Sequence, residues 1–240
     1  MEYCAEKQLT RLRQHFAAST SSSSPATAVA AALDGVARVY EHAEPLVRSA
    51  RADQVEDELR ASVALLDACA AARDALGAMR ACALDMEAAA RRGDGAAAAA
   101  AARAYARVAR KACADARRLR RENAAADGGH ALQEARRLAA AVLERVVVAL
   151  SKRAAPGAQR PAGAGWSTCV ARAFRKRARV ACEEDAVVSS LSSKDLHDGS
   201  EARRELRALC DTIQHLEDGL DLLFRRLVQC RVFLLNMRSL

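Results

Sequence analysis

The residues of this 240-residue chain best suited to metal or redox chemistry are its eight cysteines: Cys4, Cys69, Cys82, Cys113, Cys169, Cys182, Cys210 and Cys230. Their spacing argues against both roles. No two lie closer than thirteen residues, so there is no C-x-x-C pair to begin a zinc site or a dithiol motif. Most sit among apolar positions, where a free thiol packs as a small hydrophobe, and the set reads as reduced packing residues. The histidines His15, His42, His130, His197 and His215 are scattered, none three or four residues from another His or a Cys. Helical metal-ligand spacing is therefore missing, and each reads as a surface or helix-end residue. The chain also lacks G-x-S-x-G, G-x-G-x-x-G, a Walker loop and H-E-x-x-H. Two carboxylate groups, Glu183-Glu184-Asp185 and Glu217-Asp218, follow basic runs or flank an apolar seam, where ion pairing explains them better than acid–base work. The expectation is a non-enzyme with no catalytic, cofactor-binding or metal residues and no cofactor.

Charge is more pointed. The chain carries a net charge of +8, with a pI near 9.3. Between residues 103 and 121 lie Arg103, Arg107, Arg110, Lys111, Arg117, Arg118, Arg120 and Arg121 against one acid, Asp115. At 100° per residue Arg103, Arg107, Arg110, Arg117 and Arg121 fall close to one helical face, with Tyr105, Val108, Cys113, Ala116 and Leu119 on or near the other. A second cluster puts five basic residues between Arg172 and Arg179. Such a face can hold an anionic membrane, a nucleic acid or an acidic partner, or act as a nuclear-import signal. It can equally be a solvated face that keeps an alanine-rich bundle in solution. Aromatics are 3% of the chain and no nucleic-acid reading module is present, so nucleic acid is the weakest of these partners. Alanines stand where a membrane-surface helix wants Trp, Phe and Leu, which weakens the membrane reading too.

The elements that position these residues are helices. Hydrophobic residues make up 51% of the chain, much of it alanine, which favours helix and buries little area per residue. A short helix near Cys4 to Ala18 runs into Ser19–Ser24 and Pro25. A second covers about Thr27 to His42, and Pro45 bends it or starts another. Asp53 with Glu56 resembles a capping box opening a long helix. Its inner stripe is read through Val55, Leu59, Val63, Leu66, Leu76, Met79 and Met86, with Cys69, Ala72 and Ala83 between. Arg91-Arg92-Gly93-Asp94-Gly95 stops that helix. The next starts in the alanine run Ala96–Ala102 and reaches about Ala125, and after the turn Asp127-Gly128-Gly129 another runs from His130 to Lys152.

The last helix opens near Asp198. Its apolar residues are Leu206, Leu209, Ile213, Leu216, Leu220, Leu223, Leu227, Cys230, Leu234 and Met237, at alternating steps of three and four. That is a 3.5-residue seam, the pattern of knobs-into-holes packing. From Leu222 it widens to include Phe224, Val228, Val232, Phe233 and Leu235, which predicts burial inside a multi-helix bundle rather than a two-stranded dimer. Gly219 costs about 1 kcal/mol against alanine in a helix interior and marks an expected close helix crossing.

The fold expected is all-α: a multi-helix bundle with long antiparallel helices and a heptad-patterned C-terminal helix. Residues 1–26 read as an N-terminal helix and Ser-rich loop, and 27–152 as a helical bundle. Residues 153–166 read as a Pro/Gly linker closed by Trp166, and 167–240 as a basic helix and the C-terminal helix that completes the bundle.

The closing stretch LEDGLDLLFRRLVQCRVFLLNMRSL, Leu216–Leu240, resembles the C-terminal motif of a plant-specific helical family of unknown biochemistry related to the BYPASS proteins of root and shoot development. Leu65-Leu66-Asp67-Ala68-Cys69 is similar to that family's internal L-L-D-x-C segment. Arg91-Arg92-Gly93 and the basic helix ending in Arg117-Arg118-Leu119 match its later landmarks, so the likeness covers most of the chain in order. Members usually open with a Ser-Leu-Pro-Ser-Arg-type segment, and this chain starts directly at a helix. The lysine-rich character of their middle helix is carried here by arginine among alanines. The resemblance implies a developmental role in plants and supplies no catalytic residue.

The function expected is thus a non-enzymatic helical interaction or regulatory protein with protein partners. The alternative is a peripheral adaptor that binds an anionic membrane or another polyanion through Arg103–Arg121. No stretch nears eighteen uncharged apolar residues, and the N-terminus lacks a signal-peptide core, so the expected location is intracellular: cytoplasmic first, with nucleus and membrane periphery as alternatives.

Overall fold

The computed structural model describes residues 7, 9–11, 14, 25–48, 50–124, 130–154 and 192–239. Among them every regular element is helical. They are α1 (Pro25–Glu41), α2 (Ala43–Arg48), a 3₁₀ turn (Ala52–Gln54), α3 (Val55–Arg92), α4 (Gly95–Ala124), α5 (Ala131–Ala154) and α6 (Ser192–Arg238). The protein is an all-α helical bundle. Of the N-terminal helix expected from Cys4 to Ala18, Lys7, Leu9, Thr10, Arg11 and Gln14 are described and helical. The Ser19–Ser24 loop, the Asp127-Gly128-Gly129 turn, the linker with Trp166, the basic helix with its Arg172–Arg179 cluster, and Cys4, Cys169 and Cys182 lie outside the described residues.

Helix ends follow local chemistry. After α1, His42 makes the bend that Pro45 called for, and Pro45 occupies the first turn of α2, where a missing N–H costs nothing. The start of α3 differs from the expected Asp53–Glu56 box. Asp53 pairs with Arg51 at 3.2 Å. Gln54 Oε1 instead accepts the Arg51 N–H at 3.2 Å, while the Gln54 N–H donates to Arg51 O at 2.9 Å. At the other end of α3, Gly93 adopts φ 73°, the left-handed conformation that glycine takes without steric penalty. Its N–H donates to Ala90 O at 3.3 Å and the Asp94 N–H to Ala89 O at 3.0 Å, the paired bonds of a Schellman stop. Asp94 then caps α4, its Oδ1 accepting the Ala97 N–H at 2.9 Å.

The chain divides into two compact units: unit 1 is Met1–Leu76, Lys111–Ala149 and His215–Leu240, and unit 2 is Gly77–Arg110 and Leu150–Gln214. In unit 1, α3 and α6 run antiparallel, as three contacts show. Cys69 Sγ lies 3.7 Å from Leu220 O. Arg73 Nε pairs with Asp221 at 2.8 Å. Arg231 Nη1 donates to Leu59 O at 2.7 Å and Ser62 Oγ at 2.8 Å. Along α6 this unit buries Leu216, Leu220, Leu223, Leu227, Cys230 and Leu234, and Met237 is half-buried. Helix α1 crosses at Gly219, where an added Cβ would stand 2.6 Å from Leu33 Cδ2 and 3.3 Å from Leu33 Cγ. Leu33 is itself buried, so only a side chain of no size fits there.

In unit 2 the same antiparallel sense appears in the Arg80–Gln214 hydrogen bond at 2.5 Å and the Arg207–Glu87 ion pair at 2.8 Å. Met79, Ala83 and Met86 of α3 and Leu206, Leu209 and Ile213 of α6 are buried. Tyr105 of α4 is fully buried and its hydroxyl donates to Leu150 O at 3.3 Å.

Two expectations are corrected. The stripe of α3 does not pass through Val63 and Leu66. It runs Leu65, Cys69, Ala72, Leu76, Met79, Ala83, Met86, a second seam in steps of four and three, while Val63 is exposed and Leu66 half-buried. Alanine and cysteine carry this seam, so a reading weighted toward large residues misses it. On α6, the widened C-terminal half is not enclosed: Leu222, Val228, Val232 and Phe233 are exposed, and Phe224 and Leu235 are half-buried.

Candidate functional site

All eight basic residues between Arg103 and Arg121 are exposed on α4. They are not equivalent. In unit 1, Arg120 Nη1 pairs with Glu144 at 2.6 Å, Arg117 Nε approaches the same carboxylate at 3.6 Å, and Arg118 lies 3.9 Å from Glu122. Lys111 and Arg121 of that unit, and Arg103, Arg107 and Arg110 of unit 2, have no ion-pair partner among the described residues. The basic face therefore divides into paired arginines, of which Arg117 and Arg120 fasten α4 to α5 and Arg118 pairs along α4 itself, and cations open to solvent.

Among the described cysteines, Cys69, Cys113 and Cys230 are buried and Cys82 and Cys210 half-buried. Cys69 and Cys230 are buried free thiols, and burial pushes each up to about 12, far from the thiolate needed for nucleophilic or redox work. Burial likewise raises Cys82 and Cys210.

One cluster that spacing alone did not reveal lies in unit 1. Glu58 of α3 and Arg136 of α5 form an ion pair at 2.6 Å, with 6% and 7% of their side chains exposed. The residues are 78 apart in sequence, which is why no local motif announces them. His130 Nε2 stands 3.4 Å from the other Glu58 oxygen. His130 is also the N-cap of α5: its Nδ1 accepts the Gln133 N–H at 3.1 Å and its carbonyl accepts the Glu134 N–H at 3.2 Å. Burial raises the Glu58 carboxyl above its ordinary value, and Arg136 and then His130 oppose that rise. Tyr40, wholly buried, is pushed up by desolvation and feels the same Arg136 and Glu58 charges.

These groups line a cavity of about 390 Å³ together with Gln54, Asp57, Ala61, Ala64, Glu122, Asn123 and Gln133. Its deeper lining is buried Glu58, Asn123, Gln133 and Arg136, and its outer lining includes exposed Asp57 and Glu122. Asn123 donates from Nδ2 to Leu119 O at 2.9 Å, and its own carbonyl accepts from Arg137 Nε at 3.2 Å, so the end of α4 is held against α5.

In unit 2 the nearest counterpart is Glu87. Arg91 and Arg207 hydrogen-bond its carboxylate at 2.7 and 2.8 Å and hold it below the ordinary glutamate value. That is a helix-to-helix clamp. Among the described residues no group of three or more His, Cys, Asp or Glu side chains is arranged to hold a metal, and no helix is long and apolar enough to cross a membrane.

A family model described as Protein BPS1 matches residues 30–237. The chain belongs to the Protein BPS1 family. The match runs from within α1 through nearly all of α6, so both buried seams and the Glu58–Arg136 cluster lie in the region the family model covers. It is the BYPASS-related family that the closing motif resembled. Comparison with curated proteins and with solved structures gave no match.

Proposed function

We propose that this BPS1-family chain is a non-enzymatic helical interaction or regulatory protein acting in root and shoot development. The observation that carries the reading is a concentration of exposed apolar side chains. Among the described residues, six large hydrophobics are exposed, and four of them, Leu222, Val228, Val232 and Phe233, fall within one twelve-residue stretch of α6. Leu222 and Phe233, eleven residues apart, come round to one flank of the buried seam, and Val228 and Val232 lie a turn apart on another. A fifth, Val63, follows Ser62, which bonds Arg231 of the same α6 segment. Apolar side chains gathered like this on a helix whose seam is already satisfied suit a protein partner's apolar surface. The developmental setting rests on kinship with the BYPASS-related proteins.

The test is proximity labelling and affinity purification of the full chain in plant tissue, beside Val228→Asp/Val232→Asp. Both positions are solvent-facing, so the variant should melt within a few degrees of wild type and lose its consistent partner. Wild-type protein recovered alone under mild conditions, or an unchanged partner set for the variant, would sink the reading.

A second reading is favoured by the five unpaired cations of α4: a peripheral adaptor for an anionic membrane or another polyanion. Arg107→Glu/Arg110→Glu/Arg121→Glu leaves the Glu144 pairs in place. It should abolish sedimentation with phosphatidylserine-containing vesicles, and wild-type binding should fall steeply between low and physiological salt. Sedimentation unaffected by the reversal would exclude this face.

A further inference from the structure

The Glu58–Arg136 cluster is more than a buried ion pair, because the guanidinium is mostly unused. Arg136 presents five N–H donors. Its one hydrogen bond among the described residues runs from Nη1 to Glu58 Oε2, and Nε is buried without an acceptor. The residue is 6% exposed, so the cavity is the open space before it. A donor left unmatched at that depth costs stability. A water occupies about 30 Å³ of liquid, and the cavity measures about 390 Å³, within the range of small-molecule sites.

The lining also states what chemistry fits. Glu58 pairs with Arg136 at 2.6 Å and compensates its charge, so the deep end offers guanidinium donors that already have a counter-ion. It suits a neutral acceptor, such as a hydroxyl or carbonyl oxygen, better than a carboxylate or phosphate. The outer lining carries the Asp57 and Glu122 carboxylates. Their existing partners are exposed, Arg60 at 3.0 Å and Arg118 at 3.9 Å, and such surface pairs are weak enough to be exchanged. That end suits a cation. Ala61 and Ala64 keep the space between open by their small size.

We propose that this cavity of unit 1 is a binding site for a small organic cation bearing a neutral acceptor oxygen, of the amino alcohol or amino amide class. The oxygen accepts from the free donors of Arg136, and the ammonium group meets Asp57 and Glu122. This site is separate from the exposed residues of α6, so it stands or falls independently of the partner-binding reading.

Ethanolamine is the minimal probe, titrated into the ¹⁵N-labelled full chain by NMR beside ethylamine, which lacks the oxygen, and glycerol, which lacks the charge. The expected result is a saturable shift of the Asn123 and Gln133 side-chain amides and of the Arg136 guanidinium, with a Kd at least threefold lower than for either control. Ala61→Leu fills the space without touching a charge and should abolish the shifts. Glu122→Gln, at an exposed position that keeps the fold, should raise the Kd by about threefold, the scale of one exposed ion pair. No saturable shift with ethanolamine overturns the proposal. So does equal binding of glycerol or ethylamine, or binding left unchanged by Glu122→Gln.

Discussion

Leu220→Asp is expected to abolish the cooperative thermal transition, whereas Val232→Asp twelve residues on should leave it within a few degrees of wild type. Both are apolar-to-acid changes on α6, and both residues belong to its dense apolar half. Only their surroundings differ. Leu220 is 0% exposed, with its carbonyl 3.7 Å from Cys69 Sγ and the α1 crossing at Gly219 beside it. Truncating a buried leucine to alanine costs about 2–5 kcal/mol, and a carboxylate at the same place adds the cost of desolvating a charge. The sum reaches the whole stability of an ordinary domain, about 5–15 kcal/mol. Val232 is 50% exposed, and an acid there stays in water, a change of about 0.5 kcal/mol or less. Far-ultraviolet circular dichroism against temperature reads both. A cooperative melt for Leu220→Asp would mean that the seam does not hold unit 1 together.

The contrast also shows what was legible in the sequence. The heptad period of α6 needs only large side chains at steps of three and four, and nine of its ten residues, Leu206 through Leu234, are buried. Helix stops were legible where a left-handed residue was required, as at Gly93. The seam of α3 was hidden because alanine and cysteine occupy positions where the facing helix supplies the bulk. The exposure of Val232 and Phe233 was hidden for the opposite reason. Periodicity shows that a helix is apolar on several sides, not how many neighbours are present to cover them. For the candidate sites, a charge face on one helix could be read directly, but which arginines were already spoken for depended on Glu144 of another helix. The Glu58–His130–Arg136 cluster was illegible altogether. It joins α3 to α5 through tertiary packing, and no single segment contains enough of it to form a pattern.

That cluster gives the second large effect. Arg136→Met should destabilise the protein by about 3–5 kcal/mol at neutral pH, because it leaves the Glu58 carboxylate buried without its cation. For a chain of this size that is a drop of roughly 6–20 °C in melting temperature. The pH dependence separates this cause from lost packing. Glu58 already titrates above its ordinary value of 4.5 because burial disfavours its charged form. Such a carboxyl costs stability as pH rises: below the unfolded value both states hold the proton, and above it the unfolded chain ionises freely while the folded one resists. Removing Arg136 takes away both its charge and its hydrogen bond, two of the three influences that oppose the rise, so the folded value climbs further. The deficit of Arg136→Met relative to wild type should therefore be small near pH 4, where Glu58 is protonated and wild-type Arg136 has lost its counter-ion. It should then widen as the pH is raised toward 7. Glu58→Leu/Arg136→Met removes both charges from the buried site and should recover most of the loss, since apolar replacements of buried ion pairs are often neutral. Urea unfolding of wild type, Arg136→Met and the double variant between pH 4 and 7 decides it. A deficit constant across that range, or a double variant no better than Arg136→Met, would show that the guanidinium acts through its bulk and not through its charge on Glu58.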